Sequence, residues 1–321
     1  MFTIAAIALV LLSAILSVAF PLATYTLTLA TFGLTHVLSE LHYVENRFSQ
    51  RLKNRLRISI SQLLLIIVSL RSLQVFGLIP TWVSIPLELS CVVGLVILVI
   101  PILVKKDWRL GILAIVLAAG IALGIFYSPT LTLLLFAVLH NLTPVGFIAE
   151  KLRGSNRDRA LLACAMVFIL IPLLILSGIP YKLLSSLNLV EWEFSLLPVG
   201  GIEAHLGVFV PKQLHHQIIA IHAFSAAVFL QSMHYAVVIG VLPTWEDSQQ
   251  SRTNNSIFIG YPRKYFTWFI ILFSTLLFIG FTIAFNNARA VYGIVAAVHA
   301  WVEIPILLLA LAIPDTSEAV N

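Results

Sequence analysis

Two copies of one short pattern place a histidine and a glutamate where they can act together. His36 precedes Glu40 and His299 precedes Glu303, each by four residues, and both pairs lie in long apolar runs. Residues four apart share one face of a helix, about one turn from each other, so each imidazole can point to the same side as its carboxylate. Neutral imidazole and carboxylate are ligands that suit iron, zinc, copper and manganese. The pattern therefore indicates a metal site or a path for protons.

Two further histidines, His140 and His234, lie in other apolar runs. If each run is a membrane helix that rises about 1.5 Å per residue, the depths of these side chains can be compared. Most of them fall in one thin slab near the middle of the bilayer, while Glu40 lies about 12 Å towards the cytoplasm. The slab contains His36, His140, His234, His299 and Glu303. We expect these five residues to be the ligands of a buried metal ion.

The two glutamates are also the candidate catalytic residues. Glu303, and with it Glu40, is expected to complete the metal site or to accept a proton. A metal cation makes two buried carboxylates tolerable, because their charges compensate each other. Three alternatives stay open at this point: axial ligation of haem, a pathway for protons or ions, and a core in which each histidine bonds a neighbour.

The composition excludes a soluble globular protein. Of the 321 residues, 60% are hydrophobic and 10% are charged, and the mean hydropathy is +1.02, whereas soluble domains are about a quarter charged. The net charge of +5 does not point to nucleic acid, because the basic residues lie in short loops between apolar runs. Membrane lipids are therefore the expected partners. Cys91 and Cys164 lie inside apolar runs and are expected to pack as small core residues.

Charge clusters and prolines divide the chain into ten predicted membrane helices within a single domain, residues 1–321. A helix needs roughly 20 apolar residues to cross a bilayer. The uncharged stretch from 2 to 35 is too long for one helix, so we place a break at Pro21. The predicted fold class is thus all-α, a polytopic integral membrane helix bundle. The spans are 3–20, 22–42, 58–79, 83–104, 110–127, 129–149, 160–180, 215–241, 266–286 and 290–313.

The basic residues are distributed unevenly over the predicted loops. When the loop 46–57 is placed in the cytoplasm, most of the 19 Lys and Arg residues fall on the cytoplasmic side. The positive-inside rule then places both termini in the cytoplasm, in a plasma or inner membrane or another internal membrane. The exceptions are Lys182, Lys212 and Arg289 on the exterior side and Arg71 within a span.

One exterior segment, 181–214, is expected to lie on the membrane surface, where it caps a cavity, contacts a partner or connects two spans. Four histidines lie in it or at the start of the next span. They are either interfacial side chains or a second metal site or proton entrance. These outer histidines are His205, His215, His216 and His222.

Arg71 and Glu88 are the remaining charges at membrane depth. They lie on consecutive predicted spans that run in opposite directions, at similar distances from the bilayer centre. An isolated charge is costly in lipid. We therefore expect a buried ion pair with a structural role.

Several of these features resemble the Brp/Blh family of membrane β-carotene dioxygenases. The run Gly33-Leu34-Thr35-His36 opens a histidine-containing span, His140 is alone in mid-span, and one later span carries His222 and His234. Thr35 and Val37 flank His36 where that family has a Pro-His-Gly run. The resemblance implies a polytopic helical fold, iron held by histidines from several spans, and oxygenation of a carotenoid.

The expected function is that of a metal-dependent oxidoreductase or oxygenase. Iron is the expected metal, and the substrate is a lipophilic molecule such as a carotenoid, a quinone or an acyl lipid that enters from the bilayer. A second hypothesis is a proton-coupled transporter or channel that uses the same histidines and glutamates as a relay. A haem-binding membrane protein is the third.

Overall fold

The computed structural model describes residues 2–48, 52–245 and 263–312, and in these ranges every regular element is helical. Short 3-10 turns and one π turn connect or interrupt the α-helices. The α-helices are α1 (Phe2–Ala19), α2 (Pro21–Phe48), α3 (Asn54–Val75), α4 (Thr81–Lys106), α5 (Trp108–Tyr127), α6 (Pro129–Leu139), α7 (Thr143–Lys151), α8 (Gly154–Ala165), α9 (Ile171–Leu176), α10 (Ile179–Ser186), α11 (Glu203–Leu206), α12 (Ile218–Gly240) and α13 (Arg263–Ala312).

Seven helical segments among the described residues are long and apolar enough to cross a bilayer, which indicates a membrane helix bundle. They are Asn54–Val75, Thr81–Lys106, Trp108–Tyr127, Pro129–Lys151, Gly154–Leu176, Ile218–Trp245 and Phe266–Ala312.

Helix α5 shows how the bundle is adapted to lipid. Its small residues Gly111 and Ala114 are buried against α4, while Leu113 and Val116 are 52% and 61% exposed. A Cβ atom at Gly111 would lie 2.6 Å from Val104 Cγ2 and 3.1 Å from the backbone of the same residue. Small residues permit such close approach between membrane helices, and large apolar side chains on the outer face are suited to lipid rather than water.

The chain breaks between its first two helices where the sequence predicts a break. Helix α1 ends at Ala19 and α2 begins at Pro21, whose ring is compatible with the first turn of a helix. Helix α13 is interrupted at Ala284, where φ is −149° and ψ is 77°, two residues before the predicted end of a span at 286.

Two predicted loop regions are helical instead. Helix α2 continues to Phe48, six residues beyond the predicted span, and α8 begins at Gly154 rather than near 160. The α2 extension is held by tertiary contacts, because Phe48 is buried and Arg47 Nε lies 2.8 Å from Glu150 Oε2 on α7. The predicted cytoplasmic residues Arg51 and Arg252 lie outside the described ranges.

Helices α2 and α12 form the centre of the bundle. The two helices pack against each other. Helix α2 also packs along α13, and α13 contacts α3 and α4. Most of α12 is buried, including large side chains such as Phe224 and Phe229. A helix that is apolar on all sides and buried on most of them is typical of an inner helix of a membrane bundle. Of the functional candidates of the sequence, His36 and Glu40 lie on α2 and His234 lies on α12.

The segment 181–214 folds against one end of the bundle. Val199, Ile202 and Leu206 are buried in the main core, and the backbone N–H of Glu191 donates to the carbonyl of Ala19 over 2.8 Å. Glu193 Oε2 accepts a hydrogen bond from the Ile202 backbone N–H, with a distance of 2.9 Å. The segment is thus packed onto the helices by apolar side chains and by hydrogen bonds.

The predicted ion pair between Arg71 and Glu88 is confirmed. Arg71 Nε and Nη2 donate to Glu88 Oε2 and Oε1 over 2.7 and 2.8 Å. Trp301 Nε1 on α13 donates to Glu88 Oε1 over 2.6 Å. The bidentate pair therefore ties α3 to α4, and the indole ties both to α13.

Removal of one partner of this pair should destabilise the bundle more than removal of both. Arg71→Met leaves the fully buried Glu88 carboxylate without its counter-charge, and we expect a loss of about 3 kcal/mol in the free energy of unfolding. The double variant with Glu88→Met as well should recover most of that loss. Unfolding of purified protein in detergent measures both. Arg109→Met, at an exposed site, is the control, and equal stability of Arg71→Met and this control would contradict the structural role.

Candidate metal centre

Four helical regions bring one histidine each to a common point inside the bundle. His36 lies on α2, His234 on α12 and His299 on the part of α13 that follows the break at Ala284. His140 lies in the 3-10 turn between α6 and α7. His36, His234 and His299 are buried, and the His140 side chain is 15% exposed.

Pro144 explains the 3-10 turn at His140. A proline has no N–H and its ring crowds the carbonyl four residues earlier, which here is the carbonyl of His140. The helix tightens at residues 140–142, and the Thr143 hydroxyl donates to the released His140 carbonyl over 2.8 Å. The turn thus fixes the backbone that carries the imidazole.

Three imidazole nitrogens meet closely. His299 Nε2 lies 3.2 Å from His36 Nε2 and 2.9 Å from His140 Nε2. One ring nitrogen has either one hydrogen or one lone pair, so it cannot make a hydrogen bond to both neighbours. Three converging nitrogens, each able to present a lone pair, are instead an arrangement that suits a bound cation.

His234 completes a group of four. Its ring centre lies 4.6 Å from that of His140 and 5.3 Å from that of His36, and one ligand atom from each of the four histidines lies within 4.8 Å of all the others. The ring of Tyr235 stacks on His36, with centres 3.9 Å apart and an angle of 25° between the planes. This contact helps to hold the His36 ring in place.

Both predicted glutamates lie beside these rings. Glu303 Oε2 is 3.0 Å from His140 Nδ1, and Glu40 Oε2 is 3.4 Å from His234 Nε2. Glu40, His140, His299 and Glu303 form a second group whose ligand atoms are within 4.8 Å of one another. Glu40 therefore lies almost as close to the histidines as Glu303 does, although the count of residues along its helix placed it deeper.

The site contains an unusual number of polar atoms without hydrogen-bond partners. Both carboxylates are 0% exposed, and none of their four oxygens has a hydrogen bond; the short contacts to His140 and His234 lack hydrogen-bond geometry. His140 Nδ1, His299 Nδ1 and both ring nitrogens of His234 are in the same condition. Buried polar atoms without partners cost free energy. A metal ion removes this cost, so this buried group can hold one.

A cavity of about 580 Å³ opens beside the cluster, lined in part by His36, His140 and His299. Three aromatic residues near the histidines, Tyr235, Tyr292 and Trp301, also line it. Gly33 on α2 permits the position of Tyr292, because a Cβ atom there would lie 3.3 Å from the tyrosine ring. The cavity gives the cluster an apolar space next to it, as ligand-binding sites usually have.

The outer histidines do not form a second metal group among the described residues. His205 Nε2 donates to the carbonyl of Val199 over 3.0 Å, and His215 Nε2 donates to that of Val210 over 2.9 Å. Neither these two nor His216 or His222 belongs to any set of ligand atoms at metal spacing in the described ranges. His205 and His215 act as structural hydrogen-bond donors.

Two residues that line the cavity were not singled out as site residues by the sequence. Gln231, one turn before His234 on α12, has a side-chain nitrogen without a hydrogen-bond partner. Arg289 lines the same cavity. The available signal for Arg289 was the polar run Asn286-Asn287-Ala288-Arg289 between two apolar stretches.

Comparison with known proteins supplies no relative: no family model, no curated protein and no solved structure matches the chain. The function is therefore inferred from the geometry of this site.

The carboxylate of Glu303 should strengthen metal binding. Removal of its charge by Glu303→Gln is expected to weaken Zn²⁺ binding by about 10–100-fold, as is typical when a carboxylate next to a ligating histidine is lost. Zn²⁺ suits the ligand types and has no redox chemistry. Titration of the full-length protein against a competing chelator measures the affinity. His215→Ala should bind like the wild type, and an unchanged affinity of Glu303→Gln would show that Glu303 takes no part in the site.

Proposed function

We propose that the protein is a metal-dependent membrane oxidoreductase, specifically an oxygenase, that acts on a lipophilic substrate. The observation that supports this most strongly is the convergence of His36, His140 and His299 through their Nε2 atoms at the wall of an apolar cavity. A metal site that only stabilises the fold is normally closed by its ligands, whereas a catalytic site keeps an open position. The cavity supplies the space for such a position.

Iron is the metal we propose. Histidine and carboxylate ligands with open positions are typical of non-haem Fe(II) oxygenases. The resemblance of the His36, His140 and His234 regions to the Brp/Blh dioxygenases points the same way. When bound, iron would supply the redox chemistry with oxygen, and the protein would hold the ion, exclude water and position the substrate.

The roles of the side chains follow from their distances. We assign His36, His140, His234 and His299 as ligands, with Glu303 either as a fifth ligand or as the group that orients His140 through Nδ1. Glu40 is assigned the same two possible roles beside His234, which it contacts at Nε2. The unpaired oxygens of both carboxylates can accept a proton released at the site.

A substrate from the bilayer fits the cavity better than one from water. The cavity is lined largely by apolar side chains, including Leu29, Ile85 and Phe136. Carotenoids, quinones and acyl lipids all dissolve in the membrane and can enter from the side.

The finer topology is part of this proposal. We assign ten membrane crossings, counting α1, α2, α3, α4, α5, α6 with α7, α8 with α9, α12 and the two parts of α13 on either side of Ala284. An even number of crossings returns the C-terminus to the side of the N-terminus, and the loop charges favour the cytoplasm.

Haem is a poorer fit than a single ion. Axial ligation requires two histidines on opposite sides of a macrocycle, with that plane otherwise free. Here four imidazoles have ligand atoms within 4.8 Å of one another, so that the other two rings occupy the space of the macrocycle.

Proton transfer across the membrane is the second candidate, because the unpaired carboxylates of Glu40 and Glu303 adjoin a chain of close imidazoles. Proteoliposomes that contain the protein would then show a pH-dependent proton flux, and Glu303→Gln would abolish it. An enzyme without transport activity would show no flux above that of empty vesicles.

The oxygenase proposal requires stoichiometric metal in the purified protein. We expect about one iron per chain in the wild type and loss of most of it in His140→Ala and in His299→Ala, because each variant removes one of the converging nitrogens. Elemental analysis with an optical spectrum measures this, and His215→Ala serves as the control. Well-folded wild-type protein without bound metal would contradict the enzyme proposal. A Soret band in the optical spectrum would show that the protein binds haem rather than non-haem iron.

A further inference from the structure

The cavity extends from the histidine cluster to a second polar region. His299 and Arg289 both line it and lie on the same part of α13, ten residues apart, which corresponds to about 15 Å along the helix. The wall between them is formed by residues such as Tyr292 and Ala296. The cavity thus has a cluster of ligands at one end, a cation at the other and an apolar passage between them.

The charge of Arg289 is not compensated within the described part of the chain. Its Nη1 donates to His205 Nδ1 over 2.7 Å, and its guanidinium also lies within hydrogen-bonding reach of Tyr25. No carboxylate forms an ion pair with it in the described ranges. By contrast, Arg71, the other arginine that lines the cavity, is neutralised by Glu88.

His205 is a neutral imidazole that can accept a hydrogen bond from Arg289 without repelling its positive charge. Its Nε2 donates to the Val199 carbonyl, so the hydrogen of a neutral ring is on Nε2 and the Nδ1 lone pair is free to accept from Arg289. Burial is the main cause that lowers the pKa of His205, and the nearby Arg289 charge lowers it further against the opposite effect of the Val199 carbonyl. The neutral imidazole therefore orients the guanidinium by a hydrogen bond and does not neutralise its positive charge, which remains available to an anionic ligand.

A guanidinium at the end of an apolar cavity favours one class of ligand. Arginine binds carboxylates and phosphates through two parallel hydrogen bonds, and this interaction is strongest away from bulk water. The amide of Gln74 also lines the cavity and can add a hydrogen bond. A pure hydrocarbon would leave the guanidinium of Arg289 without a counter-charge. The volume of about 580 Å³ is within the roughly 300–1,000 Å³ of small-molecule sites, which matches one acyl chain better than a two-chain phospholipid.

We propose that this cavity binds a single-chain amphipathic lipid with an anionic head group, with the head on Arg289 and the chain directed towards the histidine cluster. The head group is a carboxylate, as in a free fatty acid, or a phosphate, as in a lysophospholipid. This inference rests on the proposed function only for the oxygenation of the acyl chain at the histidine cluster, and it narrows the substrate class to acyl lipids. Binding of the head group itself requires only Arg289 and its neighbours.

The test compares ligands that share a chain and differ in the head. Full-length protein as purified, in nanodiscs of zwitterionic lipid, is titrated with oleate, oleoyl lysophosphatidate and methyl oleate by displacement of a fluorescent fatty acid. We expect at least one anionic ligand to bind ten times more tightly than methyl oleate. Arg289→Gln should reduce that affinity at least tenfold and leave methyl oleate unchanged, while Arg289→Lys retains part of it. The tighter of the two anions identifies the head group.

The control is Arg109→Gln, which removes an exposed arginine far from the cavity in sequence and should bind every ligand like the wild type. Equal affinity of wild type for methyl oleate and both anions, or an Arg289→Gln variant that folds and binds the anions normally, would overturn the proposal. Metal content is measured in the same samples. Absence of metal together with Arg289-dependent binding of an anion would contradict the oxygenase proposal and support the lipid site. Bound metal without Arg289-dependent binding would contradict the lipid site alone.

Discussion

Polar groups at membrane depth have no water to bond, and this constraint governs the interior of the bundle. Each such group must find a partner in the protein or in a ligand. Arg71 and Glu88 satisfy it within the chain, with Trp301 as an additional donor. The histidine and glutamate cluster does not, because both of its carboxylates have oxygens without hydrogen bonds. A cation bound between these groups resolves what the protein alone leaves unsatisfied.

The backbone around the cluster is adapted to hold it. Pro144 tightens the chain into the turn that carries His140, and the His140 carbonyl, which can receive no N–H from Pro144, accepts from the backbone N–H and the hydroxyl of Thr143. Gly33, one turn before His36, leaves room for Tyr292 from α13. Ring positions set by such contacts change little when a ligand binds, so that little free energy is spent on ordering the site. The break at Ala284 is close to Arg289 and begins the helix that links both ends of the cavity.

Much of this arrangement could be predicted from the sequence, since it depends on local patterns. Hydropathy and Pro21 locate the first helices, and the spacing of His299 and Glu303 indicates one shared face. Tertiary contacts could not be predicted in this way: the α2 extension depends on the pairing of Arg47 with Glu150, more than 100 residues away. The estimate of depth from the predicted spans also placed Glu40 too far from the histidines, because it was counted from the centre of a span that ended at residue 42, whereas α2 continues to Phe48.

X-ray absorption spectroscopy of the Zn²⁺-loaded, full-length protein would show whether the histidine cluster holds a metal, because it reports the atoms around the ion without relying on activity. We expect a first shell of nitrogen and oxygen at about 2.0–2.1 Å, with the outer-shell scattering of three or four imidazole rings. A shell of oxygen atoms alone, without imidazole scattering, would show that the ion binds elsewhere and that the four histidines are packing residues.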